Sequence, residues 1–164
     1  MGSLLHGDGP GNIKIVPENP EVKLKVYNGE TYLGERRFEV QLIPKPEVQL
    51  MAGNRKANLT QGESRSTMRN IGINVIPNDY FAKVTPEDAQ YRNQETVVRL
   101  FRNGIMRGNP VTFSGNQHNL TNMMREAEKG DVLMVEVKKV LRKNYRNAVE
   151  EANIGDNVFT IMLK

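Results

Sequence analysis

Residues 132–141 read Val-Leu-Met-Val-Glu-Val-Lys-Lys-Val-Leu, and they decide the fold class. Leu133, Val135 and Val137 fall on one face, the period-two signature of a strand with one side buried. Just before this strand, Lys129-Gly130 is a helix stop, because glycine readily takes the left-handed backbone that ends helices. Upstream of the stop, Leu120, Met123, Met124 and Ala127 recur at i, i+3, i+4 and i+7. A helix is therefore expected over 117–129, with Asn116 or Asn119 as its cap. Downstream, Arg142-Lys143-Asn144-Tyr145-Arg146 reads as a basic loop. Phe159, Ile161 and Leu163 then alternate in a last strand from Val158 to Leu163.

Strand signals continue towards the N-terminus. Thr96 to Phe101 is a strand, and Asn103-Gly104 a hairpin turn that leads into Ile105-Met106. Thr85-Pro86-Glu87-Asp88 reads as a short helix start, with Thr85 as cap and Pro86 in the first turn. Tyr80 to Val84 is a short apolar group after the stop Pro77-Asn78-Asp79. Ile71, Ile73, Val75 and Ile76 form a strand, as do Val48, Leu50 and Met51, and the polar residues 52–69 between them read as an exposed loop. Ile43-Pro44-Lys45-Pro46 enforces an extended connector, so a boundary falls here. Before it lie Ile13, Ile15 and Val16, then Val22, Leu24 and Val26, the turn signal Asn28-Gly29, and a return strand from Tyr32 to Ile43 with Gly34 as a bulge or kink. Residues 1–12 are glycine-rich and aperiodic. Gly7-Asp8-Gly9-Pro10-Gly11 is turn chemistry without the spacing of a phosphate loop. This segment holds only about three strands, where an immunoglobulin-like sandwich needs about seven, and a lone hairpin is marginal in water. The first segment is expected to be the tail of a larger domain, to be completed by another chain, or to pack on the segment beyond the boundary.

Composition narrows the function. The chain has 164 residues, with 38% hydrophobic and 26% charged, ordinary for a soluble globular protein of one domain or slightly more. No apolar run approaches the ~20 residues of a membrane helix. The start lacks a basic n-region and a long apolar h-region, so it does not read as a signal peptide; any targeting element is expected upstream. Absence of cysteine excludes disulfides, thiolate metal sites and a cysteine nucleophile. Two histidines, His6 and His118, argue against a histidine-rich metal centre. Absence of Trp and an aromatic content of 6% leave few platforms for sugars or bases. Net charge is +4, with the signs interspersed.

No converging catalytic set emerges. Ser114 and His118 lie near each other without a nucleophile-elbow context. The adjacent acids Glu87 with Asp88, and Glu150 with Glu151, point in different directions on one element and read as solvating or capping groups. Lys138, Lys139, Arg142, Lys143 and Arg146 beside Tyr145 can be read as a nucleic-acid contact. The favoured reading is a solvated sheet edge, or a contact to an acidic protein, because Glu136, Glu150 and Glu151 dilute the field. Met123 and Met124, with Met106 and Met134, read as core before sticky surface. Asn58-Leu59-Thr60 and Asn119-Leu120-Thr121 match the glycosylation pattern by chance. Nothing demands a metal, nucleotide or redox cofactor.

Three stretches carry a family resemblance: Val22-Lys23-Leu24-Lys25-Val26-Tyr27, Leu33-Gly34-Glu35-Arg36-Arg37-Phe38-Glu39-Val40, and Ile43-Pro44-Lys45-Pro46. Together they resemble the junction between the last two periplasmic domains of the GldM/PorM family of gliding-motility and type IX secretion proteins. The amphipathic helix, Lys129 to Lys138 and the terminal strand resemble that family's C-terminal domain. The runs Pro77 to Tyr80 and Asp88 to Arg92 depart from the family pattern.

The resemblance implies a mainly β (α+β) chain. Residues 1–46 would be the incomplete closing strands of an immunoglobulin-like β-sandwich. Residues 47–164 would be a mixed β domain with one main helix. It also implies a non-catalytic, homodimeric periplasmic shaft, anchored in the inner membrane by a helix outside this chain. Such a shaft links a proton-driven motor to a ring of lipoprotein and associated protein under the outer membrane. Neither nucleic acid nor a membrane span is expected of this chain. Arg142, Lys143, Tyr145 and Arg146 are the expected ring-contact residues, with the polar loop 52–69 as a further part of the rim. The alternatives are a glycan- or cell-wall-binding β-sandwich, and a cell-envelope hydrolase using Glu87, Asp88 or His118.

Overall fold

The computed structural model describes residues 4–7, 13–16, 19–40 and 42–164. The chain divides into two compact units, Met1–Ile43 and Pro44–Lys164. It is mainly β, as the alternation predicts.

The first unit holds two antiparallel hairpins. Strand β1 (Leu4–Gly7) pairs with β2 (Ile13–Val16). The aperiodic reading of residues 1–12 misses β1, while the turn read at Gly7 to Gly11 falls mostly outside the described residues. Strand β3 (Glu21–Asn28) pairs with β4 (Thr31–Glu39). The loop is centred on Gly29-Glu30, one residue later than the Asn-Gly signal suggests. Only Gly29 has positive φ, at +60°, so glycine occupies the first central position as a II′ turn requires. Leu33 is the extra residue of a bulge beside Gly34. Phe38, Val26, Tyr27, Tyr32 and Leu33 are all exposed in this unit.

The second unit is built from two antiparallel sheets that share one core. One sheet has the order β10-β7-β5-β6, from Gln117–Asn119, Asn70–Ile76, Glu47–Ala52 and Arg55–Lys56. The other has the order β12-β11-β8-β9, from Val149–Glu151, Val132–Lys143, Gln90–Arg102 and Ile105–Phe113. Strand β13 (Val158–Met162) also pairs with β11, beyond β12. Strand β11 is thus bonded along both edges. Leu50, Ile71 and Ile73 of one sheet meet Val98, Leu100, Leu133, Val135 and Ile161 of the other in a single cluster. At the β8–β9 turn, Asn103 and Gly104 both have positive φ, 50° and 77°, the backbone the Asn-Gly pair predicts. Pro110 sits on edge strand β9, where its missing N–H breaks no ladder.

The helices differ from the sequence expectation. The apolar stripe Leu120, Met123, Met124, Ala127 is buried as predicted, but the helix, α2, spans only Thr121–Glu126. Residues 117–119 pair with β7 instead, and the Asn119 side chain accepts from Thr121 N. At the other end Ala127 turns extended, and Glu128 N donates to the Asp131 carboxylate. A second helix, α1 (Asp79–Val84), forms where the sequence suggests only a short apolar group. Asn78 caps it, and Thr85 terminates it rather than starting one: its N–H and hydroxyl both donate to Phe81 O. Residues 52–69 are less loop-like than their polarity suggests, with Ala57, Glu63 and Met68 buried.

Two buried carboxylates lie beside the C-terminal end of the last strand. Asp131 takes Arg102 in a fork, with Nε and Nη2 at 2.8 and 2.9 Å, and closes the turn out of α2. Glu63 accepts from Arg55 Nη1 and Nη2, each at 2.6 Å, and from the N–H of Asn58 at 2.7 Å. Glu63 also bridges to the C-terminal strand: its N–H reaches Met162 O, and Lys164 N reaches its carbonyl. Gly62 lets this contact form, since a Cβ there would lie 2.4 Å from Met162 O.

Gly62 and Gly53 both have positive φ, but only Gly62 faces a close neighbour. Gly53→Ala should therefore cost about 1–2 kcal/mol from backbone strain alone, and Gly62→Ala clearly more, as read by denaturant unfolding. The Arg102 guanidinium holds the Asp131 carboxyl below its usual range. A carboxylate with a depressed folded pKa adds stability above its unfolded value, about 3.9, and loses it as pH falls through the folded pKa. The stability gap between the parent and Asp131→Asn should be full at pH 7 and shrink below about pH 4. An unchanged gap at low pH would rule the ion pair out as its cause.

Candidate functional site

Strand β11 begins with Leu133, Val135 and Val137 facing the core, all buried. Continued without interruption, that phase would bury Lys139. The strand instead carries an extra residue at Lys138, and β8 carries one at Gln94. The two bulges offset each other, so the strands keep their register but exchange faces. Val140 and Arg142 then point inward, while Leu141 and Lys143 lie on the outer face with Gln90, Arg92 and Val149. These outer residues, with Tyr91, line a shallow cleft of about 210 Å³.

This phase change corrects the reading of the basic segment. Arg142 and Lys143 are not in a loop but at the end of β11. Arg142 is 5% exposed. It donates to Asp88 O at 2.9 Å, lies 3.6 Å from the Asp88 carboxylate and pairs with Glu150 directly across on β12. It is therefore an internal tie, not part of an exposed rim. Lys143 and Arg146 are exposed, and Tyr145 is half-buried.

The hairpin that carries them is held by its own polar groups. The Asn144 side chain accepts from Arg146 N and Ala148 N, each at 3.0 Å, and Asn147 takes the left-handed conformation at φ 62°. Tyr145 N donates to Asp88 Oδ1 at 3.0 Å, and Arg146 Nε donates to the Tyr145 hydroxyl at 2.8 Å. Lys138 and Lys139 are paired with Glu136 and Glu151. The diluted positive field that the sequence suggests is real.

The groups considered for catalysis are not assembled. Asp88 is engaged by Arg142 and Tyr145, and Glu87 is exposed. His118 lies on β10, in the other sheet, stacked on Phe113 with ring centroids 4.5 Å apart. Ser114 is exposed. Asn58 and Asn119 act as turn caps through their side-chain oxygens. Met123 and Met124 are core, while Met106 is exposed on β9. Among the described residues, no three His, Asp or Glu side chains are grouped to hold a metal ion, and no helix is long and apolar enough to cross a membrane.

The network around Arg142 contains one unsatisfied group. The buried Tyr91 hydroxyl has no hydrogen-bond partner among the described residues, and burial pushes its pKa up. A buried unpaired hydroxyl is destabilising, so Tyr91→Phe should leave stability unchanged or raise it. Arg142→Ala strands two carboxylates and should cost about 2–3 kcal/mol, discounted for the exposure of Glu150. Arg146→Ala should stay within about 0.5 kcal/mol. Thermal unfolding of the three variants checks this order.

The model of the GldM C-terminal domain matches residues 44–164, and the second compact unit begins at the same residue. No curated protein matches the chain. The chain belongs to the GldM family, components of the gliding-motility and type IX secretion machinery, and residues 44–164 are its C-terminal domain.

Proposed function

We propose that this chain is a non-catalytic, protein-binding part of the periplasmic shaft of a type IX secretion and gliding machine. The observation that carries the proposal is the family match over residues 44–164. In this reading the full-length protein is anchored in the inner membrane, where it meets the motor, and works as a homodimer. The hairpins of the first unit are strands of an immunoglobulin-like domain. The second unit meets the outer-membrane ring of lipoprotein and associated protein.

Within it, the β11–β12 hairpin is the contact. Lys143, Tyr145 and Arg146 supply charge and an aromatic ring at its surface, and Arg142 holds it from beneath. The rigidity of the turn supports this role, because a preordered contact loses little entropy on binding. Exposed cations at a rim mainly steer association.

The test uses purified ring lipoprotein with its partner and this chain immobilised. Binding should weaken as salt rises. Lys143→Glu with Arg146→Glu should slow association and weaken binding about tenfold while leaving the fold intact. If the parent chain does not bind, the ring-contact role fails. If the double variant binds like the parent, the hairpin is not the contact.

A further inference from the structure

The polar stretch from Ser64 to Arg69 meets α2 and the end of the C-terminal strand. Ser64, Arg65, Ser66, Arg69, Met124, Arg125 and Lys164 line one open cleft of about 440 Å³. It lies near the Val132 end of β11, some twelve residues from the Lys143 hairpin, or roughly 35 Å along the strand. We propose that this cleft binds a carboxylate-rich segment of a partner protein, through Arg65, Arg69 and Arg125. The inference does not rest on the hairpin's contact with the ring.

Charge is the first support. Among the described residues, no carboxylate lies within ion-pair distance of Arg65, Arg69 or Arg125, whereas Arg55, Arg99, Arg102, Lys138 and Lys139 are each paired. Two of the nearest acids in sequence are engaged elsewhere. Glu63 holds Arg55, and Glu128 holds Arg102. The Glu126 carboxylate reaches towards Gly108 on β9. Three exposed guanidinium groups therefore share one concavity without acidic partners. Lys164 lines it too, but the inference needs only the arginines.

Placement is the second. Arg65 donates to Ala127 O at 2.6 Å, and Arg125 is anchored to the Asn122 side chain, so each is fixed while most of its five N–H donors stay available. The fork geometry of arginine suits carboxylates.

The hydroxyls settle the kind of anion. Ser64 is bonded to Ser66 and Thr67 at 2.8 and 2.7 Å, and it accepts from Thr67 N. They hold the turn together rather than converge on a small oxyanion. What remains is a shallow groove with several cations and a methionine at its edge, which suits an extended acidic segment.

The probe is a fluorescent hexaglutamate peptide titrated into the intact chain at low salt. Binding should be salt-sensitive. Arg69→Gln and Arg125→Gln should each weaken it about two- to fivefold, and more together. Arg69→Lys with Arg125→Lys should recover part of the loss. Lys143→Gln with Arg146→Gln should bind like the parent, which separates this cleft from the hairpin. Amide chemical-shift mapping on the unaltered chain should place the peptide at residues 64–69 and 122–126. Shifts elsewhere, or a double glutamine variant that binds normally, would overturn the proposal. Tighter binding to phosphatidylglycerol vesicles than to the peptide, lost in the same variant, would overturn it in favour of a membrane surface.

Discussion

The paired bulges at Lys138 and Gln94 are the constraint on which much of the second unit depends. Strand β11 is bonded on both edges, so its inward residues must satisfy the core along its whole length. A strict alternation from Leu133 would carry Lys139 into that core. Burying an unpaired ammonium costs far more than a local break in a ladder. One extra residue in each strand moves Lys139 to the outer face and brings in Val140, which is fully buried. Because both strands take one, the register on either side is kept, and the long β8–β11 pairing survives intact.

The same phase change creates the unit's polar interior at that end. Arg142 follows Val140 inward and needs acids, which Asp88 and Glu150 provide. Asp88 comes from the turn after α1, so the short helix is tied to the sheet through one guanidinium. At the other end Arg102 and Asp131 repeat the device, joining the β8–β9 turn to the exit of α2. Arg55 on β6 holds Glu63 in the segment before β7, and the Glu63 backbone in turn bonds the last strand. The apolar core supplies the driving force, and these three arginine–carboxylate pairs fix how the chain crosses from one element to the next.

That division explains what the sequence disclosed. Alternation reports burial directly, so Leu133, Val135, Val137, Ile161 and Leu163 could be assigned without a structure. Asn103-Gly104 could be assigned because few other pairs tolerate positive φ at both positions. The helical stripe from Leu120 to Ala127 gives the right buried face but the wrong length. What shortens the helix is Asp131 capturing Glu128 N and β7 capturing residues 117–119, both contacts outside the repeat. Arg142 and Glu63 read as surface in the sequence because charge implies exposure on average. A buried charge is legible only with its partner, and Asp88 and Arg55 lie 54 and 8 residues away. The arginine cleft is illegible for the same reason: Arg65 and Arg69 are close in sequence, but Arg125 is brought to them by α2.

Burial also separates two roles that a run of basic residues merges. Arg142 is committed to the interior, so removing it tests stability before it tests binding. Lys143, at the end of β11, and Arg146, on the turn that follows, are exposed, and the Asn144 side chain holds the turn's Arg146 and Ala148 N–H groups. A surface of that kind gains little from rearrangement and keeps its charge where a partner meets it. Any loss of binding on replacing the outer pair can then be assigned to contact rather than to folding, which a substitution of all four residues together would confuse.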